Sequence, residues 1–447
     1  MKNYLFLLLS AQLLMSCQNQ GLQSEVSAVK PKDGLQKVDS LLDRLASDSS
    51  FFGSIAFLKE GQAIYQRSIG PDQLQTGKSA QSNTPYRVAS ITKSFTATLV
   101  FKAIEAQKLS LEQSIASFFP ELKGVEAITI AHLLHHQSGI PSYTKDSYFW
   151  EHRLEGQRPD QLLAALSKFE RHFEPGTDTE YSNSNYFLLS LILEQVYAKS
   201  YAALVESQIL SPLNLSHTSV GDSLPGKDEC RSYHLVDGQW QEFPGTHLSL
   251  AMGSGSMLST PQDLNTFFRA LVRGELVNDS SLKAMQTIIG RHGMGLFKYD
   301  ILDQQGFGHG GNIEAFTAQS IYFPEMDLAL SICSNGSTTE LPKFYSDVLE
   351  LYLGEMAVPI SEEELKLYVG SYIPEDEPDH EMVFEMKDKT LIHVIKNEFR
   401  TPLIHKGNRR FLFNQMYGGS INFTFSDKGD SLIFEQGNYR GVYRRKM

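Results

Sequence analysis

Ser90 and Lys93 stand one helical turn apart at the head of an apolar helix pattern, and no other stretch constrains the chain as tightly. The segment reads Tyr86-Arg87-Val88-Ala89-Ser90-Ile91-Thr92-Lys93-Ser94-Phe95-Thr96. Behind it Phe95, Leu99, Val100, Ala103 and Ile104 recur at helical spacing. Residues three apart share one face of a helix, so the Lys93 amine comes within reach of the Ser90 hydroxyl. A serine hydroxyl is a weak nucleophile until a neighbouring base takes its proton. A lysine can take it only when neutral, a form that burial and nearby positive charge favour. Alone, the pair equally fits a capping serine beside a solvated lysine, so its meaning depends on partners elsewhere in the chain.

The N-terminus reads as export machinery. Lys2 precedes an apolar run from Leu5 to Met15 that is too short to span a bilayer. The run ends in Leu14-Met15-Ser16-Cys17, which resembles a bacterial lipobox, with Cys17 as the lipidated residue. On this reading residues 1–17 are a lipoprotein signal peptide and residues 18–34 a polar tether. The protein is then an exported bacterial lipoprotein, anchored to a membrane through lipid and facing the periplasm or the cell exterior. A chain of 447 residues predicts more than one folded unit. The net charge of −12 comes without any basic block, which argues against a nucleic-acid partner. Cys230 and Cys333 could pair in an oxidising compartment, though Cys333 sits in an apolar run and fits a small core residue.

Along the chain, Leu35 to Leu45 predicts an amphipathic helix, and Phe51 to Leu58 with Ala63 to Ile69 a hairpin of two strands. From Leu109 to about Ala270 the pattern is mostly helical with long loops. Within it, Ile128 to Pro141 predicts a helix closing at Ser138-Gly139. His132 and His136 lie four apart there, but no glutamate stands between them as in zinc proteases, and packed histidines fit better than a metal site. Tyr181-Ser182-Asn183 follows a turn at Pro175-Gly176. Thr260, Pro261 and Asp263 predict a helix start as N-cap, N1 and N3. Gly306 to Asn312 is a glycine-rich stretch containing His309, a residue that could carry a proton near neutral pH, and it precedes strand-like runs from Phe316 and Leu328. Leu341 to Leu353 reads as a helix. Short alternating runs from Met382 to Tyr443 then predict a small all-β unit, a barrel or a sandwich.

Ser90-x-x-Lys93, Tyr181-x-Asn183 and His309-x-Gly311, in this order and spacing, resemble the three motifs of the serine β-lactamase-like family. That family holds penicillin-binding carboxypeptidases, D-aminopeptidases, AmpC-type β-lactamases and esterases. The resemblance covers residues 36 to 355. It implies an α/β (α+β) fold in which a mixed sheet built from both chain ends is flanked by helices with an all-helical region inserted. The serine hydrolase domain then occupies residues 35–356 and the small all-β domain residues 360–447. The resemblance further implies an acyl-enzyme on Ser90, with Lys93 and Tyr181 handling its proton as base and shuttle in either assignment. Asn183, His309, Gly310, Gly311 and Asn312 contact the substrate, with the Ser90 and Asn312 N–H groups as oxyanion donors. No metal or cofactor is required. The substrate is a small molecule or peptide, with cell-wall peptide among its sources: a D-amino peptide, an amide, an ester or a lactam. The third motif is Lys-Thr-Gly in most true β-lactamases and His309-Gly310-Gly311 here, which favours a peptidase or esterase over an efficient β-lactamase. His135 stands where a threonine is usual. The pocket walls fall to the loops 141–157 and 224–246. A low-turnover binding or sensing lipoprotein that keeps the pocket is the alternative reading.

Overall fold

A computed structural model describes residues 33–302, 304–353, 360–374, 380–395, 399–413, 421–436 and 439–446. Cys17, the signal segment and the tether up to residue 32 lie outside the described residues. The chain begins with helix α1 (Asp33–Ser47), strands β1 (Phe51–Lys59) and β2 (Gln62–Ile69), and helix α2 (Thr92–Glu105). Helices α3 (Ile130–Leu134), α4 (Asn183–Tyr197) and α5 (Pro261–Val272) follow. Four strands return to the first sheet: β3 (Phe297–Ile301), β4 (Gln304–Ile313), β5 (Phe316–Phe323) and β6 (Leu328–Ser337). Its order is β3-β4-β5-β6-β1-β2, so strands from both ends of the domain meet at its centre, where β1 pairs with β6.

Both faces of this sheet are covered. Helices α1 and α6 (Leu341–Leu353) pack on one face through Val38, Leu42, Phe344, Tyr345 and Val348. The other face joins α2, α4 and α5 in the larger core, where the Phe95 and Phe267 rings stack 3.7 Å apart. Strand β1 is accordingly buried along nearly its whole length, as a two-sided strand must be. The α5 start has the cap read from sequence, with the Thr260 hydroxyl accepting the Asp263 N–H.

Two segments differ from their sequence reading. The helix anticipated from Ile128 to Pro141 is only the five residues of α3. His132 spends Nδ1 accepting the Thr129 N–H in a capping box, and His136 then turns into the left-handed region at φ 59°. The glycine-rich stretch around His309 is itself a strand, β4. Strand β3 pairs only with the segment from Gln304 to Gly308, so His309 to Ile313 form an edge that faces away from β5.

After α7 (Glu362–Tyr368) come nine strands: β7 (Gly370–Pro374), β8 (Met382–Lys387), β9 (Thr390–Ile395), β10 (Phe399–Pro402), β11 (Ile404–His405), β12 (Arg410–Phe413), β13 (Ile421–Phe425), β14 (Ser431–Gln436) and β15 (Tyr439–Arg445). They form one antiparallel sheet in the order β10-β9-β8-β7-β15-β14-β13-β12-β11. Its two edge strands are joined by the single residue Leu403, which obliges the sheet to curl until its ends meet. Of the barrel and sandwich alternatives, this is a nearly closed barrel. Tyr368, Tyr372, Phe384, Phe411, Phe423 and Phe425 fill it. Ile404 and Leu412 reach out to the core under α6. Cys230 and Cys333 are separate, buried free thiols.

Candidate active site

Ser90 lies at the turn that leads into α2, half-buried at the floor of a cleft. The residue before it, Ala89, has φ 47°, a left-handed conformation that costs a non-glycine residue about 1 kcal/mol. Neighbouring strands hold it there. The Val88 N–H donates to Met257 O, and the Met257 N–H donates to the Thr92 hydroxyl. Strand β4 closes on this turn from above. A Cβ on Gly311 would sit 2.2 Å from Val88 O and 2.8 Å from Ser90 N, so only glycine permits the approach. The edge residue Asn312 is thereby brought to the cleft beside Ser90.

Lys93 is completely buried, with its Nζ 3.1 Å from Ser90 Oγ, 2.6 Å from Asn183 Oδ1 and 2.7 Å from Ser254 O. Burial holds its pKa well below the usual lysine value. A neutral amine has two hydrogens and one lone pair. Asn183 Oδ1 and Ser254 O are obligate acceptors and take the two hydrogens. The lone pair is left facing Ser90, whose O–H can donate to it. Asn183 is fixed in this sense because its Nδ2 donates to Thr144 Oγ1 at 2.9 Å and Ser142 Oγ at 3.3 Å. The structure thus brings Ser90, Lys93 and Asn183 into one hydrogen-bonded set.

The Tyr181 ring lies over Lys93, with Nζ 4.8 Å from its centroid. His136 grips the backbone on both sides of it. Its carbonyl accepts the Glu180 N–H at 3.0 Å, its Nδ1 accepts the Ser182 N–H at 3.1 Å, and its ring packs on Tyr181 at 4.4 Å. This requires the Nε2–H tautomer, and burial together with His292 and Lys93 keeps the ring uncharged. His136 is a positioning residue. His292, which the sequence gave no reason to select, completes this wall 5.6 Å from Tyr181, with its pKa lowered to about 4 chiefly by burial. His135 lies against it and, after burial and Arg291, helps to lower the His292 pKa, while burial lowers that of His135 against a raising hydrogen bond to the His292 backbone.

His309 stands on the β4 edge, buried, with its Nδ1 2.5 Å from Gly310 O and its ring edge-on to Phe297. Burial, then the neighbouring Lys93, lowers its pKa to about 3. The hydrogen bond to Gly310 O offsets only part of this, so a neutral ring is favoured over the titration near neutral pH that its sequence setting suggests.

Two cavities meet at Ser90, Asn183 and Asn312. One, of about 350 Å³, includes Tyr181, His309, Gly310 and Gly311 in its wall. The other, of about 270 Å³, is walled by Tyr143, Phe149, Trp150 and Phe243 from the two long loops, with Ile313 from β4. The second of those loops, which brings Phe243, is tied to the Ser90 segment by Arg87, a residue whose role the sequence left unread. Its fully buried guanidinium pairs with Glu229 at 2.8 Å and Glu314 at 3.0 Å and donates to Thr246 O at 2.6 Å. Local sequence could not have joined these partners, which lie more than 130 residues from Arg87 along the chain. Among the described residues no group of three or more His, Cys, Asp or Glu is placed to hold a metal ion.

The model of the Beta-lactamase family matches residues 39–351. Protein flp of Staphylococcus aureus (strain COL) is 26% identical over 330 residues, covering 70% of this chain and 65% of that protein, so the match spans less than two thirds of that relative's length. A D-stereospecific amidohydrolase from Streptomyces sp. superposes with a TM-score of 0.62 at 26% identity, covering 72% of this chain and 98% of that one. The octameric penicillin-binding protein homologue from Pyrococcus abyssi aligns with a TM-score of 0.64 at 23% identity over 91% of this chain and 99% of that one, a likeness of fold that extends into the barrel.

Proposed function

The chain belongs to the beta-lactamase family of serine hydrolases, and we propose that it is a membrane-anchored hydrolase forming an acyl-enzyme on Ser90 from an amide or ester, with D-amino peptides and amides as the leading class. One observation carries this reading: the buried Lys93 Nζ lies 3.1 Å from Ser90 Oγ, with two obligate acceptors as its other partners and burial lowering its pKa. Lys93 takes the Ser90 proton as Oγ attacks the carbonyl carbon. The Ser90 and Asn312 N–H groups hold the resulting oxyanion, each such donor contributing about 3 kcal/mol in the transition state. Tyr181 passes the proton from Lys93 to the departing nitrogen or oxygen, and the C–N or C–O bond breaks. Water then attacks the acyl-enzyme, gives its proton back along the same route, and releases the acid.

The leaving group is uncharged on this reading. Among the described residues no lysine or arginine lines the cavity that holds Tyr181, and burial favours the neutral form of His309 there. A departing group ending in a carboxylate would lose its hydration without gaining a counter-charge, which disfavours both penicillins and C-terminal peptide substrates. The D-stereospecific amidohydrolase among the similar structures supports an amide. Cys17 supplies the lipid anchor and places the enzyme on the outer side of the membrane that carries it.

Intact-mass measurement tests the reaction. Soluble protein from residue 18 onward is incubated with a fluorophosphonate and, separately, with a penicillin. A fluorophosphonate adduct absent from Ser90→Ala, with little or no penicillin adduct, is the expected result. An adduct that survives Ser90→Ala, or no adduct on folded protein, overturns the reading. Loss of detergent-phase partitioning in full-length Cys17→Ala tests the anchor.

A further inference from the structure

We infer that the aromatic cavity beside Ser90 is the acyl site and that it selects acyl groups ending in an aromatic ring; the inference rests on the hydrolase reading above. The two cavities share Ser90, Asn183 and Asn312, so a carbonyl held at Ser90 sends one substituent into each. The departing atom needs a proton, and Tyr181 lines only one of them. The leaving group therefore lies on the Tyr181 side, and the acyl chain enters the other cavity.

Four aromatic side chains, Tyr143, Phe149, Trp150 and Phe243, stand in that wall among small and polar residues such as Thr144, Thr246 and Gly255. The Tyr143 hydroxyl is held by Leu250 O and by Ser254 Oγ, so this residue offers its ring alone. The Tyr143 and Phe149 rings are 5.9 Å apart, and Phe149 meets Trp150 edge-to-face at 5.4 Å. The Arg153 guanidinium lies 6.0 Å from the Trp150 ring and 5.4 Å from the Phe243 ring, bridging the two. The one carboxylate in the wall, Glu314, is committed to Arg87 and to the Thr246 N–H. Trp150 nevertheless remains 57% exposed. A large ring fixed by its neighbours but open to water is the surface that a second ring covers best, by offset or edge-to-face contact. The volume of about 270 Å³ accommodates a phenyl ring on a short stem.

The test compares p-nitrophenyl 3-phenylpropionate with p-nitrophenyl acetate, which share a leaving group. We expect kcat/KM to favour the phenylpropionate by about tenfold or more, and Trp150→Ala and Phe243→Ala each to reduce that ratio about fivefold. A ratio near one, or one that neither variant changes, overturns the assignment. A second arm is independent of turnover. The chain has two tryptophans, so in Ser90→Ala/Trp240→Phe protein the emission reports Trp150 alone. A saturable change with 3-phenylpropionamide and none with acetamide supports the acyl site even if no ester is hydrolysed, in which case the hydrolase reading alone fails. No saturable change with either amide, again in the absence of ester turnover, overturns the acyl site.

Discussion

The catalytic body and the C-terminal barrel solve the same packing problem with opposite materials. The body buries a lysine, an arginine and several histidines alongside its apolar core, and these polar groups converge on one cleft. In the barrel, among the described residues, His405 is the one buried polar side chain, and aromatic rings with leucines and an isoleucine fill the core. Burying a polar or ionisable group costs free energy unless its partners are waiting. The body bears much of that cost around the cleft, and the barrel bears little of it. The difference teaches where to look for chemistry: a buried amine with two acceptors and a serine has a use that a buried phenylalanine does not.

The sharpest way to break the contrast is to remove the amine. Lys93→Ala is expected to lower kcat for ester hydrolysis by about 10³-fold or more, since groups acting as one unit fail together. Steady-state kinetics with circular dichroism checks it; retained activity would move the base function elsewhere. Next, Gly311→Ala sets a Cβ against Val88 O and lifts β4 from Ser90. A displacement of that kind is expected to cost about 100-fold in kcat/KM, with the fold retained. His136→Ala is expected to cost less, about tenfold, because Tyr181 loses its clamp and not its hydroxyl. Here the telling readout is the pH profile: kcat/KM should shift its acid limb while KM changes little, and His136→Asn, which keeps an acceptor, should recover part of the loss.

Acid sharpens the comparison by a gentler route. His309 and His292 have folded-state values lowered to about 3 and about 4 from 6.5. Between pH 6.5 and those values the unfolded chain binds protons that the folded body refuses. Stability of the body therefore falls as pH is lowered through that window and levels off below it. Urea unfolding at pH 7 and pH 4 checks the sign, and His309→Gln should flatten the slope. Smallest of all in its effect on catalysis is Phe425→Ala in the barrel. It is expected to cost about 3–5 kcal/mol locally and to change kcat/KM less than twofold.

What could be read beforehand follows the range of the interactions involved. The Ser90–Lys93 pair, the Thr260 cap and the alternation of the barrel strands are local patterns, and each is visible in a window of a few residues. The strand around His309 shows in the sequence only as a glycine-rich stretch because glycines carry no strand preference; pairing with β5 makes it a strand. Arg87, His292 and the aromatic wall were out of reach for a different reason. Their partners lie on loops whose course is set by tertiary packing, and no spacing rule links Arg87 to Glu229 and Glu314. Barrel closure likewise hangs on one residue, Leu403, between two ordinary strands.

The pairing of Phe51 with Ser337 at the centre of the sheet has a consequence in time. A chain made or threaded from its N-terminus has Ser90 and Lys93 early, yet β1 waits for β6, and β4 reaches Ser90 only once that late segment exists. Closing so long a loop is slow compared with forming α2. Until it closes, Ser90 lacks the approach of β4 through Gly311. On the proposed mechanism, activity therefore waits on the last strand of the sheet.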